Sequence, residues 1–139
     1  MQLKKVIIFL TMLLCFVSSA ETLPVYDSEL HPVLIQGAMK IETDVLISVL
    51  DESHDYTIGH WNYTAGKING YPVVVSLTRC GEENAAASTA LAIETFRPCA
   101  VINQGTAGGH DPELKRGDIV IASDCFNASA WKALSSAKG

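Results

Sequence analysis

Val101-Ile-Asn-Gln-Gly-Thr-Ala-Gly-Gly109 decides the fold: a short apolar strand runs straight into a turn that Gly105, Ala107, Gly108 and Gly109 leave almost bare. With no bulky side chain in the way, a ligand can approach the main-chain N–H groups of such a turn. Downstream, Lys115-Arg-Gly-Asp-Ile-Val-Ile121 repeats the pattern of turn and then apolar run, which predicts a second buried strand. Together they imply a sheet whose strand ends converge on a small ligand.

Working back from that turn, Glu82 to Phe96 is rich in Ala with Leu91, Ile93 and Phe96, the pattern of a helix that packs closely on a sheet. Pro98 ends it, and Ala100 to Asn103 forms the strand that enters the turn. Residues from Tyr56 to Leu77 alternate and carry β-branched and aromatic side chains, and Asn69-Gly70 between Ala65–Ile68 and Tyr71–Leu77 predicts a type I′ hairpin. Earlier still, Val33-Leu-Ile35 reads as a short buried strand ending at the turn Gln36-Gly37. From Met39 to Leu50, Ile41, Val45, Leu46, Val49 and Leu50 recur at helical spacing, predicting an apolar face, with Glu42 in the first turn beside the strand end. The order is that of an α/β domain, with a mixed, mostly parallel sheet flanked by helices.

At 139 residues, 48% hydrophobic and 18% charged, the chain is expected to fold as one modest domain. Part of the apolar content is not fold. Lys4-Lys5 precede an apolar run from Val6 to Val17 and the small residues Ser18-Ser19-Ala20, so residues 1–20 read as a signal peptide cleaved near Ala20. The run is shorter than the roughly 20 residues that span a bilayer, which argues for export to a secreted or periplasmic location without a stable membrane anchor. Residues 21–32 form a connector, 33–124 the domain, and 125–139 a tail of uncertain structure. Loss of Lys4 and Lys5 leaves 8 basic against 15 acidic residues, a net charge of −7, which excludes a nucleic-acid partner of the usual basic kind. Cys80, Cys99 and Cys125 lack CxxC spacing and read as buried thiols with at most one disulfide. His31, His54, His60 and His110 lie in unrelated segments without metal-ligand spacing, so neither metal nor cofactor is expected.

Five pieces in register carry a resemblance: Ile35-Gln-Gly-Ala-Met39 with Glu42; Tyr63-Thr-Ala-Gly-Lys-Ile-Asn-Gly70; Asn84-Ala-Ala-Ala87; Ile102 to Gly109; and Leu114-Lys-Arg-Gly-Asp-Ile-Val120. In this order, over residues 33 to 124, the chain resembles the N-terminal half of the nucleoside phosphorylase and nucleosidase superfamily, and within it the methylthioadenosine/S-adenosylhomocysteine nucleosidases. The resemblance implies cleavage of the N-glycosidic bond of a purine nucleoside. Ribose departs as an oxocarbenium-like cation, so a carboxylate beneath the sugar serves as base for water and as stabilising charge. Glu42 matches that carboxylate, Met39 a residue packed on the ribose, and Thr106, Ala107 and Gly108 the turn lining ribose and base. Without the match, Glu42 reads rather as an acid complementing the helix dipole on a solvated surface. Asp118 reads as a turn residue that orients backbone.

Phosphorylases of the superfamily hold phosphate with arginines, one of them on the strand before the glycine turn. Here that position is Asn103, and Gly37 to Glu42 offers only Lys40, so the resemblance implies water as acceptor. Arg79 is the residue that keeps a phosphate partner open, with Glu82 and Glu83 as its alternative partners. In enzymes of this type the second half supplies an acid for the ribose hydroxyls and an aspartate that protonates the purine. Nothing between Cys125 and Gly139 matches that aspartate, so the 139 residues read as a truncated fold, inactive alone. A phosphate-dependent phosphorylase and a non-catalytic storage or binding protein on the same scaffold are the alternatives, and the resemblance carries the expectation of a homo-oligomer.

Overall fold

Alternation of side chains across each strand sorts this chain onto two faces of one sheet. The computed structural model describes residues 30–125, in two compact units, one ending at Thr106 and one beginning at Ala107. The leader read in residues 1–20, most of the connector, and the tail after Cys125 lie outside the described residues. No helix among the described residues is long and apolar enough to cross a membrane.

The first unit contains β1 (Val33–Gly37), α1 (Lys40–Ser48), β2 (Asp51–Ile58), β3 (Trp61–Ile68), β4 (Tyr71–Leu77), α2 (Glu82–Phe96) and β5 (Ala100–Asn103). The strands order as β2-β3-β4-β1-β5. β1 pairs in parallel with β4 and β5, whereas β2–β3 and β3–β4 are antiparallel hairpins. The sheet is therefore mixed, with parallel pairing confined to the side that carries the glycine turn. Asn69 (φ 50°) and Gly70 (φ 80°) close the β3–β4 hairpin in the left-handed conformation its primed turn needs. A second hairpin, at Gly59-His60, joins β2 to β3.

Register places Leu34, Gln36, Val74, Ser76, Tyr63 and Ala65 on one face, and this face is the core. Leu34, Val74 and Ala92 are wholly buried, and Phe96 of α2 packs edge-on against Tyr56 and tilted against Tyr63, with centroids 5.6 and 5.5 Å apart. The small residues of α2 let the helix approach so closely that Ser88, fully buried, bonds to both Tyr63 and Ser76. Their hydroxyls satisfy one another, so this polar triad is buried without the penalty of unpaired groups. Arg97 ends α2 in the left-handed conformation immediately before Pro98, which cannot continue a helix.

The opposite face carries α1, whose Thr43 and Ile47 sit over Val75 and Leu77. Here the helix expected over Met39 to Leu50 is shorter, and its face is not the one that periodicity indicated. Ile41 is 77% exposed, Val45 71% and Val49 55%, while Thr43 is buried. The spacing identifies residues that share a stripe but not what covers it, and among the described residues nothing packs on this stripe. β2 begins at Asp51, well before the alternation at Tyr56, because pairing to β3 and not propensity makes it a strand. As an edge it is exposed over Asp51–Asp55, where charges discourage further pairing.

One further expectation fails for the same reason. β5 forms as expected but all four of its residues are exposed, since it is an edge strand with no cover among the described residues. Residues 118–121 form no strand, and Ile119, Val120 and Ile121 are 89, 69 and 90% exposed, with no ladder partner among the described residues. The second unit is instead built from turns: Glu113 N–H donates to the Asp111 carboxylate at 2.9 Å and Lys115 N–H to that of Asp118 at 2.8 Å. Asp118 thus orients backbone as expected. Cys80, Cys99 and Cys125 are free and exposed rather than buried, because they lie in connecting segments outside the packed α2 face.

This division of labour predicts opposite outcomes for two apolar truncations. Phe96→Ala should cost about 3–5 kcal/mol in urea unfolding, whereas Ile41→Ser should change stability by less than about 0.5 kcal/mol.

Candidate functional site

Parallel pairing of β1 and β5 brings the carboxyl ends of both strands side by side, Gln36 opposite Asn103. In α/β sheets such ends are where small ligands bind. After β1 the chain turns at Ala38 and enters α1 with Met39 as N-cap, putting Glu42 at the third helical position. Met39 has no side-chain oxygen to cap the helix, and Glu42 compensates by folding back. Its Oε2 accepts the N–H groups of Ala38 (2.8 Å) and Met39 (3.0 Å).

The other oxygen crosses to the segment after β5. Oε1 accepts the Thr106 N–H at 2.8 Å and the Thr106 hydroxyl at 2.9 Å. Gln104 adds a second tie, its Nε2 donating to the Glu42 carbonyl at 2.8 Å and its N–H to the Gln36 carbonyl at 3.0 Å. β4 joins from the other side, where Thr78 N–H donates to the Gly37 carbonyl at 2.9 Å. On the α2 face a polar chain runs beneath the junction: the Thr89 hydroxyl donates to Gln36 Oε1 at 2.8 Å, and Gln36 Nε2 to Asn103 Oδ1 at 3.2 Å. Two glycines make the approach possible. A Cβ at Gly105 would lie 2.9 Å from Glu42 Oε1, and one at Gly37 3.0 Å from both Glu42 Cβ and Gln104 Nε2.

Four donors on one carboxylate favour its charged form. The Thr106 N–H lowers the Glu42 pKa most; partial burial opposes it, and the Met39 N–H, Thr106 hydroxyl and Ala38 N–H lower it further. Glu42 is therefore an anion at neutral pH. Because the folded value lies below the unfolded one, the junction's contribution to stability is complete above the usual glutamate range and is lost as pH falls through the lowered value.

Glu42 and Thr106, 64 positions apart, are thus in direct contact, and Met39, itself 41% exposed, joins them through its backbone N–H. Ala107 and Gly108 belong to the second unit and are exposed there. Sequence reasoning missed Gln104 and Ala38, both of which bond within the junction; the only signal for Gln104 was its place in the quoted turn. A groove of about 410 Å³ opens elsewhere, between α1 and the β2–β3–β4 meander. Its polar walls are already paired, Asp55 with Thr64 at 2.6 Å, Thr57 with Asn62 at 3.3 Å and Lys40 with Asp44 at 3.6 Å, and neither Glu42 nor Thr106 lines it. The Glu42–Thr106 contact therefore lies outside this groove, at the strand-end junction. Arg79 is exposed with φ 67°.

If the junction depends on close approach, Gly105→Ala should push the carboxylate off its donors. The expected loss is about 1–3 kcal/mol in urea unfolding, as for other overpacked sites, and an unchanged midpoint would show that the contact is slack.

The chain is similar in sequence and fold to known nucleosidases. The chain is 38% identical over 92 residues to the 5′-methylthioadenosine/S-adenosylhomocysteine nucleosidase of Geobacillus sp. (strain WCH70), covering 66% of this chain and 40% of the relative. It is 44% identical over 91 residues to that of Desulfotalea psychrophila, covering 64% and 38%. Among solved structures, the Neisseria meningitidis nucleosidase in complex with methylthio-immucillin-A superposes with a TM-score of 0.60 at 34% identity, over 62% of this chain and 37% of that one. The Colwellia psychrerythraea nucleosidase in complex with adenine gives 0.62 at 33%, over 63% and 36%. The chain spans about 40% of the length of these relatives. The model of the phosphorylase superfamily matches residues 32–137, and the chain belongs to that family.

Proposed function

We propose that these residues form the water-activating side of a purine nucleosidase site, with Glu42 as the general base. The observation that carries this reading is an ionised carboxylate fixed where β1 and β5 end, in contact with Thr106. The relatives' names give methylthioadenosine and S-adenosylhomocysteine as the substrate class. As the N-glycosidic bond lengthens, the sugar becomes cationic before water is fully committed. A weakly basic carboxylate is then sufficient, and its negative charge counts for as much as its basicity. Met39 and Thr106 are assigned to the ribose, an assignment the resemblance extends to Ala107 and Gly108.

Water is favoured over phosphate as acceptor. Lys40, the one cation of the Gly37–Glu42 segment, is engaged with Asp44 at the helix surface, and Asn103 is bonded to Gln36. Neither supplies a cation to hold a phosphate dianion, which leaves Arg79, exposed just after β4, as the residue through which phosphate would have to be held. The chain spans about 40% of its relatives, and the proposal concerns the water side of the reaction. The leader read in residues 1–20 assigns this chemistry to an exported protein.

The test is release of free adenine from methylthioadenosine by the full-length protein that carries these residues. The rate should be the same with and without phosphate, and Glu42→Gln should lower kcat by about 10²–10⁴-fold with little change in KM. A requirement for phosphate would reassign the site to phosphorolysis. Unchanged turnover in Glu42→Gln would remove Glu42 as the base, and tight binding of the nucleoside without cleavage would favour a binding protein.

A further inference from the structure

We propose that Arg79, in the loop after β4, selects between the two nucleosides of the substrate class by binding the carboxylate of a homocysteine tail, an inference that rests on the nucleosidase reading above. S-adenosylhomocysteine carries an α-amino acid at the end of its 5′ thioether, where methylthioadenosine carries a methyl group. A residue that tells the two apart must meet that tail. For a carboxylate the best partner is a guanidinium, which offers it two parallel N–H donors.

Register of β4 on β1 places the residue. Leu77 ends β4 opposite Gly37, and buried Thr78 ties the chain there, its N–H donating to the Gly37 carbonyl at 2.9 Å and its hydroxyl to the same carbonyl at 3.3 Å. Arg79 follows, exposed, at the carboxyl end of a strand that flanks β1 on the side away from β5. The reading above puts the ribose on Glu42 and Thr106, on the β5 side of β1. A substituent that continues across β1 meets the β4 side, where Arg79 stands. The loop is fixed from both ends: the Thr78 hydroxyl also reaches the Arg79 carbonyl at 3.1 Å, and Asn84 Nδ2 donates to the Cys80 carbonyl at 2.8 Å. Arg79 is held at φ 67°, a left-handed conformation in which glycine would be at ease and a long side chain is uncommon. Such strain persists where the surroundings enforce it, and it clusters at ligand sites. Charge singles out the same residue among the described residues of the first unit. Lys40 and Lys67 are engaged with Asp44 and Glu52, and Arg97 ends α2 two residues before Cys99, whose N–H bonds the Pro32 carbonyl at the start of β1. Arg79 is the cation at the strands' carboxyl ends.

The test is the ratio of kcat/KM for S-adenosylhomocysteine to that for methylthioadenosine, measured as adenine release by the full-length protein that carries these residues. Arg79→Gln and Arg79→Gly, the latter suited to the left-handed backbone should the former fail to fold, should each lower that ratio about 10–100-fold. The loss should fall on KM and not on kcat, because the tail is remote from the bond that breaks. Arg79→Lys, which keeps the charge without the paired donors, should lie between. Amidating the substrate's carboxyl should lower kcat/KM by a similar factor in the unaltered protein and by less than about threefold in Arg79→Gln. A ratio that does not move in Arg79→Gln or Arg79→Gly overturns the proposal, as does an equal loss on both nucleosides or an amide effect that Arg79→Gln leaves whole. Turnover that needs phosphate, with the need lost in Arg79→Gln, assigns the guanidinium to phosphate and overturns it too. Brisk adenine release with an unmoved ratio sinks the role of Arg79 and leaves the nucleosidase reading standing, whereas no adenine release from either nucleoside by the unaltered protein overturns both.

Discussion

One carboxylate joins what the sequence keeps apart. Glu42 starts α1, closes the bend after β1 and clamps the segment after β5, with two donors on each oxygen. Every feature of the junction follows from the need to bring a charged group that close to backbone: the bare positions at Gly37 and Gly105, the extended backbone at Met39, and the Gln104 amide that fixes the loop from the other side. Backbone amides aimed at a carboxylate are fixed dipoles that favour its charged form without rearrangement.

The two faces of the sheet serve different ends. Under α2 the packing is apolar and close, with Leu34, Val74, Ala92 and Phe96 excluding water and the Tyr63, Ser76 and Ser88 hydroxyls paired among themselves. Such a face is a rigid platform, and the Thr89–Gln36–Asn103 chain extends it to the strand ends. Under α1 the contact is half polar and leaves an open groove. Glu42 stands at the N-terminus of α1, the less tightly held helix, yet its carboxylate is anchored by the strand-end segments and not by the body of that helix.

Much of this was legible in the residues. Asn69-Gly70 specified its hairpin because only a primed turn suits those two residues between alternating strands. Ala-rich Glu82–Phe96 declared a helix, and Pro98 its end, because each signal is local. What stayed hidden was long-range. Gln104 bonds the Glu42 carbonyl 62 positions away, a pairing that only chain reversal through the whole sheet creates. β2 carries Asp51-Glu-Ser-His-Asp55, a composition without strand propensity that pairing overrides. The apolar stripe Ile41, Val45 and Val49 and the run Ile119-Val-Ile121 misled for one reason: periodicity and hydrophobicity state what a residue would gain from cover and say nothing about whether cover is there. Glu42 and Thr106 were paired in advance by resemblance alone; the hydrogen bonds that join them depend on β1 and β5 lying in parallel register.

The central claim is that Glu42 is held as an anion by donors on both strand-end segments. Carbon-13 NMR titration of its side-chain carboxyl measures this directly. The account predicts a midpoint below the usual glutamate value, moving up toward it when the Thr106 hydroxyl is removed. A midpoint at or above the usual value, indifferent to Thr106, would contradict it.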